Sequence, residues 1–599
     1  MLGEYDSIRP YFKRYRWNYI FGIFFLIIVD GAQLIIPQYI KQAINLISAG
    51  EFQLQAVMRI ALSMLGIAAI VAVGRFLWRF FIHGASRRIE MEMRDRLFSH
   101  LLDLSGSFYS RNKTGDLMAR ATNDMGAIRQ ATGMGFVTFV DGVFMSVAIL
   151  VIIIIENPRT ALLTIAPLPI ITALILMFGS MVGKRFEKVQ AIYSKMSDIV
   201  QETLSGIRVV KAFVREDGFA GEFSASNDEY RDASMVLVKI FSFFFPLISF
   251  LSGLSTLILL LVGGNGVVAN RMSAGDIVAM LSYLQMLVWP MMGAGFTVNM
   301  LQRGAASLRR VNEIMNTRPD IVSKPGAVKE KPDGDIEFRG LSYTYEGAEK
   351  PALDGISLVL PKGATLGILG RVGSGKSTLL KILPRLIEAP EGQVFIGGRD
   401  IRDFELEALR SVFGFVPQDS FLFSDTVAAN VRYGAPDLSP ERFARVTGIS
   451  TIARDIAEFP AGWDTVVGEK GLTLSGGQKQ RVAISRALAV DPEILVFDDA
   501  LSAVDAETED KVLSGLIDER RGRTNIIVSH RVSTLRHADL ILVLDGGRMS
   551  QFGTHADLLA DKGGFYAEIA RMQELERDVE HSEKNDVPQN AECSARKGE

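Results

Sequence analysis

One cysteine in 599 residues, Cys593, leaves this chain with no internal disulfide and without the ligands of a structural zinc centre. A basic excess is missing too. Sixty-five Lys and Arg stand against 68 Asp and Glu, a net charge of −3, so nothing points to a nucleic-acid partner. Charge is also scarce over long stretches. Nearly all the long uncharged runs fall before Arg303, and the remainder reads like a soluble protein. The first apolar run, Trp17 to Ile40, follows Arg9, Lys13, Arg14 and Arg16, as in a secretory signal. It is long enough to span a bilayer and no small-x-small site closes it, which predicts a retained membrane helix.

A spanning helix needs roughly 20 apolar residues. Six candidates are present, at about 17–40, 60–82, 134–155, 160–182, 242–268 and 277–300. Positive residues mark the inner side of a membrane. They gather before the first span, after the second (Arg87, Arg88, Arg94, Arg96) and after the fourth (Lys184, Arg185, Lys188). The links after spans one, three and five carry only Lys41, Arg159 and Arg271, which places both termini in the cytoplasm. The inner segments 83–133 and 183–241 are long and show apolar residues at three- and four-residue spacing. The spans are therefore expected to continue as helices into the cytoplasm and to turn near 108–118 and 212–222. The predicted layout is an all-α polytopic transmembrane domain over 1–315, a Pro- and Lys-rich linker over 316–335, an α/β domain of the P-loop NTPase class over 336–575, and a charged, disordered tail over 576–599.

The strongest chemical signal is "LGILGRVGSGKSTLLKIL". Gly370, Gly375, Lys376 and Ser377 satisfy the phosphate-loop pattern, and Arg371, Val372, Gly373, Ser374 and Thr378 complete the segment between a short apolar strand and a helix. Its glycines let backbone N–H groups converge on phosphate oxygens, while the helix points its positive end at the same anion. Lys376 would reach the outer phosphates of ATP, and Ser377 would bind Mg²⁺. In "EILVFDD" an apolar strand ends on Asp498, a carboxylate suited to the magnesium shell.

"LSGGQKQRVAISRAL" then identifies the chain as resembling ATP-binding-cassette (ABC) transporters. Spans fused ahead of a single nucleotide-binding domain resemble an exporter-type half-transporter of the multidrug and lipid-flippase kind. The resemblance implies roles residue by residue. Tyr345 would stack on adenine, with Tyr343 the weaker candidate. Gln418 would touch magnesium and link the nucleotide to the membrane domain. Glu469 lies in the segment that exporters use for cross-talk. Leu474, Ser475, Gly476, Gly477 and Gln478 would complete the nucleotide site of a partner chain. Asp505 would lie at the dimer seam, and His530 would contact the γ-phosphate. The cytoplasmic turns resemble coupling helices. In such proteins two nucleotide-binding domains close head-to-tail around two ATP molecules, so a single chain must pair.

The family carries Glu directly after the magnesium aspartate, where it orients the attacking water. This chain has Asp499, one methylene shorter. Phosphoryl transfer depends on positioning, and misplacement on the order of 1 Å can cost about 10²-fold. Slow hydrolysis at this chain's own site is therefore expected. An intact signature beside a shortened acid resembles the degenerate-site subunit of heterodimeric multidrug exporters, whose non-identical partner keeps the Glu. A homodimeric lipid flippase and an ATP-gated regulatory or channel member are the alternatives. Asp30, Arg75, Arg79 and Asp141 are intramembrane charges. Such charges usually face a cavity or one another, so they are candidates for the translocation path or for structural pairs. The expected cargo is hydrophobic or amphipathic, and the expected location is a bacterial inner membrane.

Overall fold

The computed structural model describes residues 2–50, 54–468, 471 and 473–585. It divides into two compact units. The first comprises Met1–Asp103 and Asn112–Arg318; the second comprises Leu104–Arg111 together with the chain from Pro319 onward.

The first unit is helical. Among the described residues, five helical stretches are long and apolar enough to cross a membrane: Arg16–Ser48, Leu54–Asp103, Thr114–Glu156, Glu216–Val268 and Ala274–Asn316. The fourth expected span, 160–182, is not one continuous helix. It is split into Pro158–Ile165 and Leu168–Ser205. The break falls at Ala166 and Pro167, where proline supplies no N–H and its ring crowds the preceding turn. Helix Leu54–Asp103 has 50 residues, so it is about 75 Å long, against about 30 Å of hydrocarbon. More than half of it therefore lies outside the bilayer core. Short helices occupy Gly106–Arg111, after this helix, and Ile207–Ala212, after helix Leu168–Ser205, slightly earlier than the turns expected near 108–118 and 212–222.

Two π-helical turns, Arg120–Asp124 and Ala131–Gly135, interrupt the third long stretch. Gly304 of the last helix packs against Ala131 so closely that a Cβ there would collide with it. At the opposite end of the unit, Lys41 bonds Glu156 at 2.9 Å and Asp276 at 2.6 Å. One ammonium thus joins three helices. Tyr283, fully buried, donates its hydroxyl to the Leu34 carbonyl at 2.7 Å.

The second unit is α/β. Its strands are β1 (Ile336–Tyr343), β2 (Leu353–Leu360), β3 (Thr365–Gly370), β4 (Val394–Ile396), β5 (Arg399–Asp400), β6 (Phe413–Val416), β7 (Ile494–Asp498), β8 (Thr524–Val528), β9 (Leu540–Asp545) and β10 (Arg548–Gly553). A small sheet runs β2-β1-β4-β5 and is antiparallel. The larger sheet runs β10-β9-β3-β8-β7-β6. All its pairings are parallel except β9 with β10. The central strands β7 and β8 are buried at every position, as parallel strands covered on both faces should be. The stretch after Pro319 is held to this unit: Lys324 pairs with Asp403 at 2.7 Å, and Leu406 N–H donates to the Ser323 hydroxyl at 3.0 Å. The last helix is Phe565–Asn585, so the first ten residues of the expected tail are helical. Tyr566 anchors its start in a core with Leu535 and Leu558, and strongly helix-forming charged residues carry it onward.

Candidate functional site

In an open parallel sheet, ligands collect beyond the carboxyl ends of the strands. Strands β3, β8, β7 and β6 are consecutive neighbours here, and each ends in a segment that the sequence singled out. The phosphate-loop segment follows β3, His530 follows β8, Asp498 and Asp499 end β7, and Gln418 follows β6. Register aligns the ends: Ile368 pairs with Val528, which pairs with Asp498, and Phe497 pairs with Val416. Residues up to 160 apart are thus brought to one edge by strand order alone.

The loop after β3 has the backbone that an anion cradle needs. Gly373 and Gly375 have φ of +82° and +96°, in the left-handed region that favours glycine. A Cβ on Gly375 would collide with the Ala352 carbonyl oxygen. Helix Lys376–Ile382 starts directly after it. Val372 projects into solvent, and the Arg371 guanidinium lies 5.1 Å from the centre of the Phe565 ring. Ser374 is 3 % exposed, and its hydroxyl has no hydrogen-bond partner among the described residues. The Lys376 ammonium donates to the carbonyls of Gly370 and Arg371 at 2.7 and 2.8 Å. Burial lowers its pKa, opposed by the nearby carboxylates of Asp499 and Asp498.

The Ser377 hydroxyl donates to Asp498 Oδ1 at 3.0 Å, joining the ends of β3 and β7. Asp498 is 3 % exposed. Burial raises its pKa, and the Ser377 hydrogen bond and Lys381 act against that rise. Asp499 is half-buried with φ of +52°, a region that Asp tolerates better than most residues. Burial also raises its pKa, with His530 and Lys376 pulling the other way. The acid therefore lies close to His530 and Lys376.

Tyr345 and Tyr343 meet edge-on, with ring centres 5.1 Å apart. Tyr345 is 42 % exposed and its hydroxyl lies 3.1 Å from that of Thr378, whereas Tyr343 packs against the core. Tyr345 is thus the one with a free ring face. Its neighbour Glu346 pairs at 2.5 Å with Arg111 of the short helix Gly106–Arg111, and Ser105 and Ser107 donate to Asp320 at 3.0 and 2.8 Å. This is why the 104–111 segment belongs to the second unit.

Leu474 is buried, and Ser475 caps helix Gly476–Ala489 in a reciprocal capping box with Gln478. Gly476 and Gly477 open that helix. A Cβ on Gly477 would stand 2.8 Å from the Ala503 carbonyl oxygen. Asp505 is exposed, and its carboxylate accepts from Thr508 N–H at 2.9 Å, which lowers its pKa. Glu469 lies outside the described residues.

Several contributors lay outside the sequence patterns. Gln480, on the buried side of the signature helix, accepts from Ala503 N–H at 3.0 Å and donates to the Ser502 hydroxyl at 3.3 Å. Ser502 in turn donates to the Asp499 carbonyl at 2.9 Å. Asp455 takes Arg481 through two hydrogen bonds, at 3.0 and 2.5 Å, and Gln478 at 3.0 Å. A buried glutamine two residues past "LSGGQ" was the available signal for the first; nothing local marked Asp455.

In the membrane unit, Asp30 is 1 % exposed. Its carboxyl meets that of Asp141, with Arg75 beside them. Arg75 also donates to Gln33 at 3.3 Å. Arg79 instead lies over the Trp78 ring, 5.4 Å from its centre. The structure thus brings three of the four intramembrane charges together and leaves Arg79 apart.

Comparison with known proteins agrees with both units. Residues 19–291 match the family model "ABC transporter transmembrane region", and residues 353–502 match the model "ABC transporter". The probable multidrug resistance ABC transporter ATP-binding/permease protein YheI of Bacillus subtilis is 37 % identical over 96 % of this chain and 98 % of its own length. The multidrug resistance-like ATP-binding protein MdlA of Escherichia coli is 34 % identical over 97 % and 98 %. The solved structure of a bacterial Atm1-family ABC exporter with ATP bound superposes with a TM-score of 0.77 at 27 % identity, covering 93 % of this chain and 98 % of that one. With its membrane helices, its nucleotide-binding fold and nearly its whole length so matched, the chain belongs to the ABC transporter family, as an ATP-hydrolysing exporter half-transporter that crosses the membrane several times.

Proposed function

We propose that this chain is the subunit of a heterodimeric ABC exporter whose own nucleotide site binds Mg·ATP but hydrolyses it slowly. In this reading the phosphate loop from Gly370 to Thr378 holds the phosphates and Tyr345 stacks on adenine. Ser374, buried with an unpartnered hydroxyl, has room in its hydrogen bonding for a phosphate oxygen. Among the described residues no three Asp, Glu, His or Cys side chains gather into a metal cage. One buried carboxylate beside a serine hydroxyl suits magnesium, which keeps water and phosphate oxygens as its other ligands. Ser377, Asp498 and Gln418 would hold it, and it would neutralise charge on the phosphates. His530 would sense the γ-phosphate, and Asp505 would meet the partner at the seam.

The observation that carries the slow-site reading is Asp499. Its backbone is fixed by β7 and by the Ser502 hydroxyl on its carbonyl, so the chain cannot slide forward to make up the missing methylene. The Ser475 to Gln478 signature keeps its capping geometry and would complete a competent site on a partner that carries Glu. The cargo proposed is a hydrophobic or amphipathic compound, drug-like or lipid, moved outward across a bacterial inner membrane. The multidrug names of the relatives support this. A second reading, a homodimeric lipid flippase, is favoured by one finding: an ATP-dependent lipid A-core flippase of Methylococcus capsulatus is 32 % identical over 86 % of both chains. Purifying the full chain alone, and together with a candidate partner half-transporter that carries Glu after its magnesium aspartate, separates the two. The heterodimer reading expects substrate-stimulated ATPase activity only from the pair. Full stimulated activity from this chain alone overturns it.

A further inference from the structure

A carboxylate that none of the nucleotide motifs includes joins two of them. Glu509 is 4 % exposed, on helix Ala506–Glu519, one turn beyond the seam residue Asp505. Its N–H donates to the Asp505 carbonyl at 2.9 Å. Both its carboxylate oxygens are occupied by the segment that carries the switch histidine: Oε2 accepts from the Arg531 guanidinium, next to His530, and Oε1 accepts from the Thr534 hydroxyl. Arg531 N–H donates to the Ser529 hydroxyl at 3.0 Å, so this segment is internally braced. From the other side, the Gln573 amide donates to the His530 carbonyl at 2.7 Å and accepts from Val532 N–H at 2.8 Å. Glu509 also lines a cavity of about 220 Å³ shared with Asp499, Ser502 and His530.

We propose that Glu509 is the positioning residue through which closure at the dimer seam sets His530. A buried carboxylate bonded to a guanidinium and a hydroxyl is a stiff link, because breaking it strands a charge away from water. A shift of the Asp505 loop on docking travels one helical turn to Glu509 and moves Arg531 and Thr534 with it. His530, adjoining Arg531, is thereby carried toward or away from the γ-phosphate position. Gln573, anchored on helix Phe565–Asn585, is the fixed side of the same hinge. Glu509 touches no nucleotide atom in this scheme; it acts through His530. The inference rests on the roles assigned to Asp505 and His530, not on how fast the Asp499 site turns over.

The test uses the full-length assembled transporter, in both the native Asp499 background and Asp499→Glu. ATP hydrolysis is read in single turnover, and binding of a fluorescent ATP analogue is read separately. Glu509→Gln is expected to lower the hydrolysis rate about tenfold while analogue affinity stays within about twofold. In a His530→Ala background, Glu509→Gln is expected to change the rate by less than twofold. Arg531→Met, whose side chain is partly exposed and easier to tolerate, should reproduce both results and decides the matter if Glu509→Gln does not assemble. Multiplying losses, with Glu509→Gln costing as much in His530→Ala as in the parent, would overturn the proposal. So would a loss of analogue affinity that accounts for the whole effect. A failure of the slow-site reading shows separately, as equal rates for the two position-499 backgrounds, and leaves these ratios intact.

Discussion

The nucleotide-binding unit and the membrane unit hold their polar residues in opposite ways. In the first, the side chains that the sequence singled out stand at the ends of adjacent parallel strands, drawn from segments up to 160 residues apart. In the second, buried polar groups find partners on helices distant in the chain. Asp124, 7 % exposed, accepts from Ser307 at 2.8 Å and from Arg310 Nε at 2.9 Å, across 183 and 186 residues. Glu90 pairs with Arg129 of another helix at 3.1 Å. A strand-end site is assembled by sheet order, whereas a helix-bundle network is assembled by packing.

The sharpest break between the units is Lys376→Ala. Loss of the loop ammonium should reduce single-turnover ATP hydrolysis at this chain's own site by on the order of 10²–10³-fold, the size seen when a main electrostatic stabiliser is removed. The membrane helices should stay folded by circular dichroism. Asp124→Ala should do the reverse, leaving ATP-analogue affinity alone while destabilising the membrane unit. Arg310 is partly solvated, so the cost falls short of a fully buried pair, at about 2 kcal/mol. Thermal denaturation in detergent reads it, and Asp124→Asn should cost less because Ser307 keeps a partner.

Capping gives a finer contrast. Ser439 and Ser475 both cap helices, accepting from Arg442 N–H at 3.2 Å and Gln478 N–H at 3.3 Å. Either change to Ala should cost about 1 kcal/mol of stability. Ser475→Ala alone should also slow hydrolysis in the assembled dimer. Equal activity of the two variants would mean that Ser475 is only a cap.

The smallest effect concerns pH. Burial raises the Asp498 pKa, so the folded protein binds that proton more tightly than the unfolded chain does. The native state therefore gains stability as pH falls through the folded value, and bears the cost of the buried charge once pH rises above it. Asp498→Asn should raise the nucleotide-free unfolding temperature at pH 7.5 and change it least near pH 4, while abolishing magnesium-dependent ATP binding.

The contrast also explains what the sequence could reveal. Gly370 to Thr378, Asp498 and His530 stand out in the sequence because the patterns they match set residue types at fixed spacing, and the fold brings them to the ends of adjacent strands. Asp124, Glu90, Asp455 and Glu509 do not, because each looks like one charge among many until the fold supplies its partner. Gln480 hid for a related reason: a polar residue on a buried helix face reads as a flaw in periodicity. The break within the fourth expected span is invisible to hydropathy, which averages over Pro167 and Pro169. The helix that enters the expected tail is equally hidden, because a charged sequence can continue a helix already anchored by Tyr566.

The most direct test of the slow-site claim is single-turnover ATP hydrolysis at this chain's own site, comparing the native chain with Asp499→Glu in the assembled transporter. A carboxylate restored to its reach should raise the rate at least tenfold, with ATP affinity unchanged within about twofold. Equal rates would contradict the account, and would mean that Asp499 already places the attacking water as well as the longer acid does.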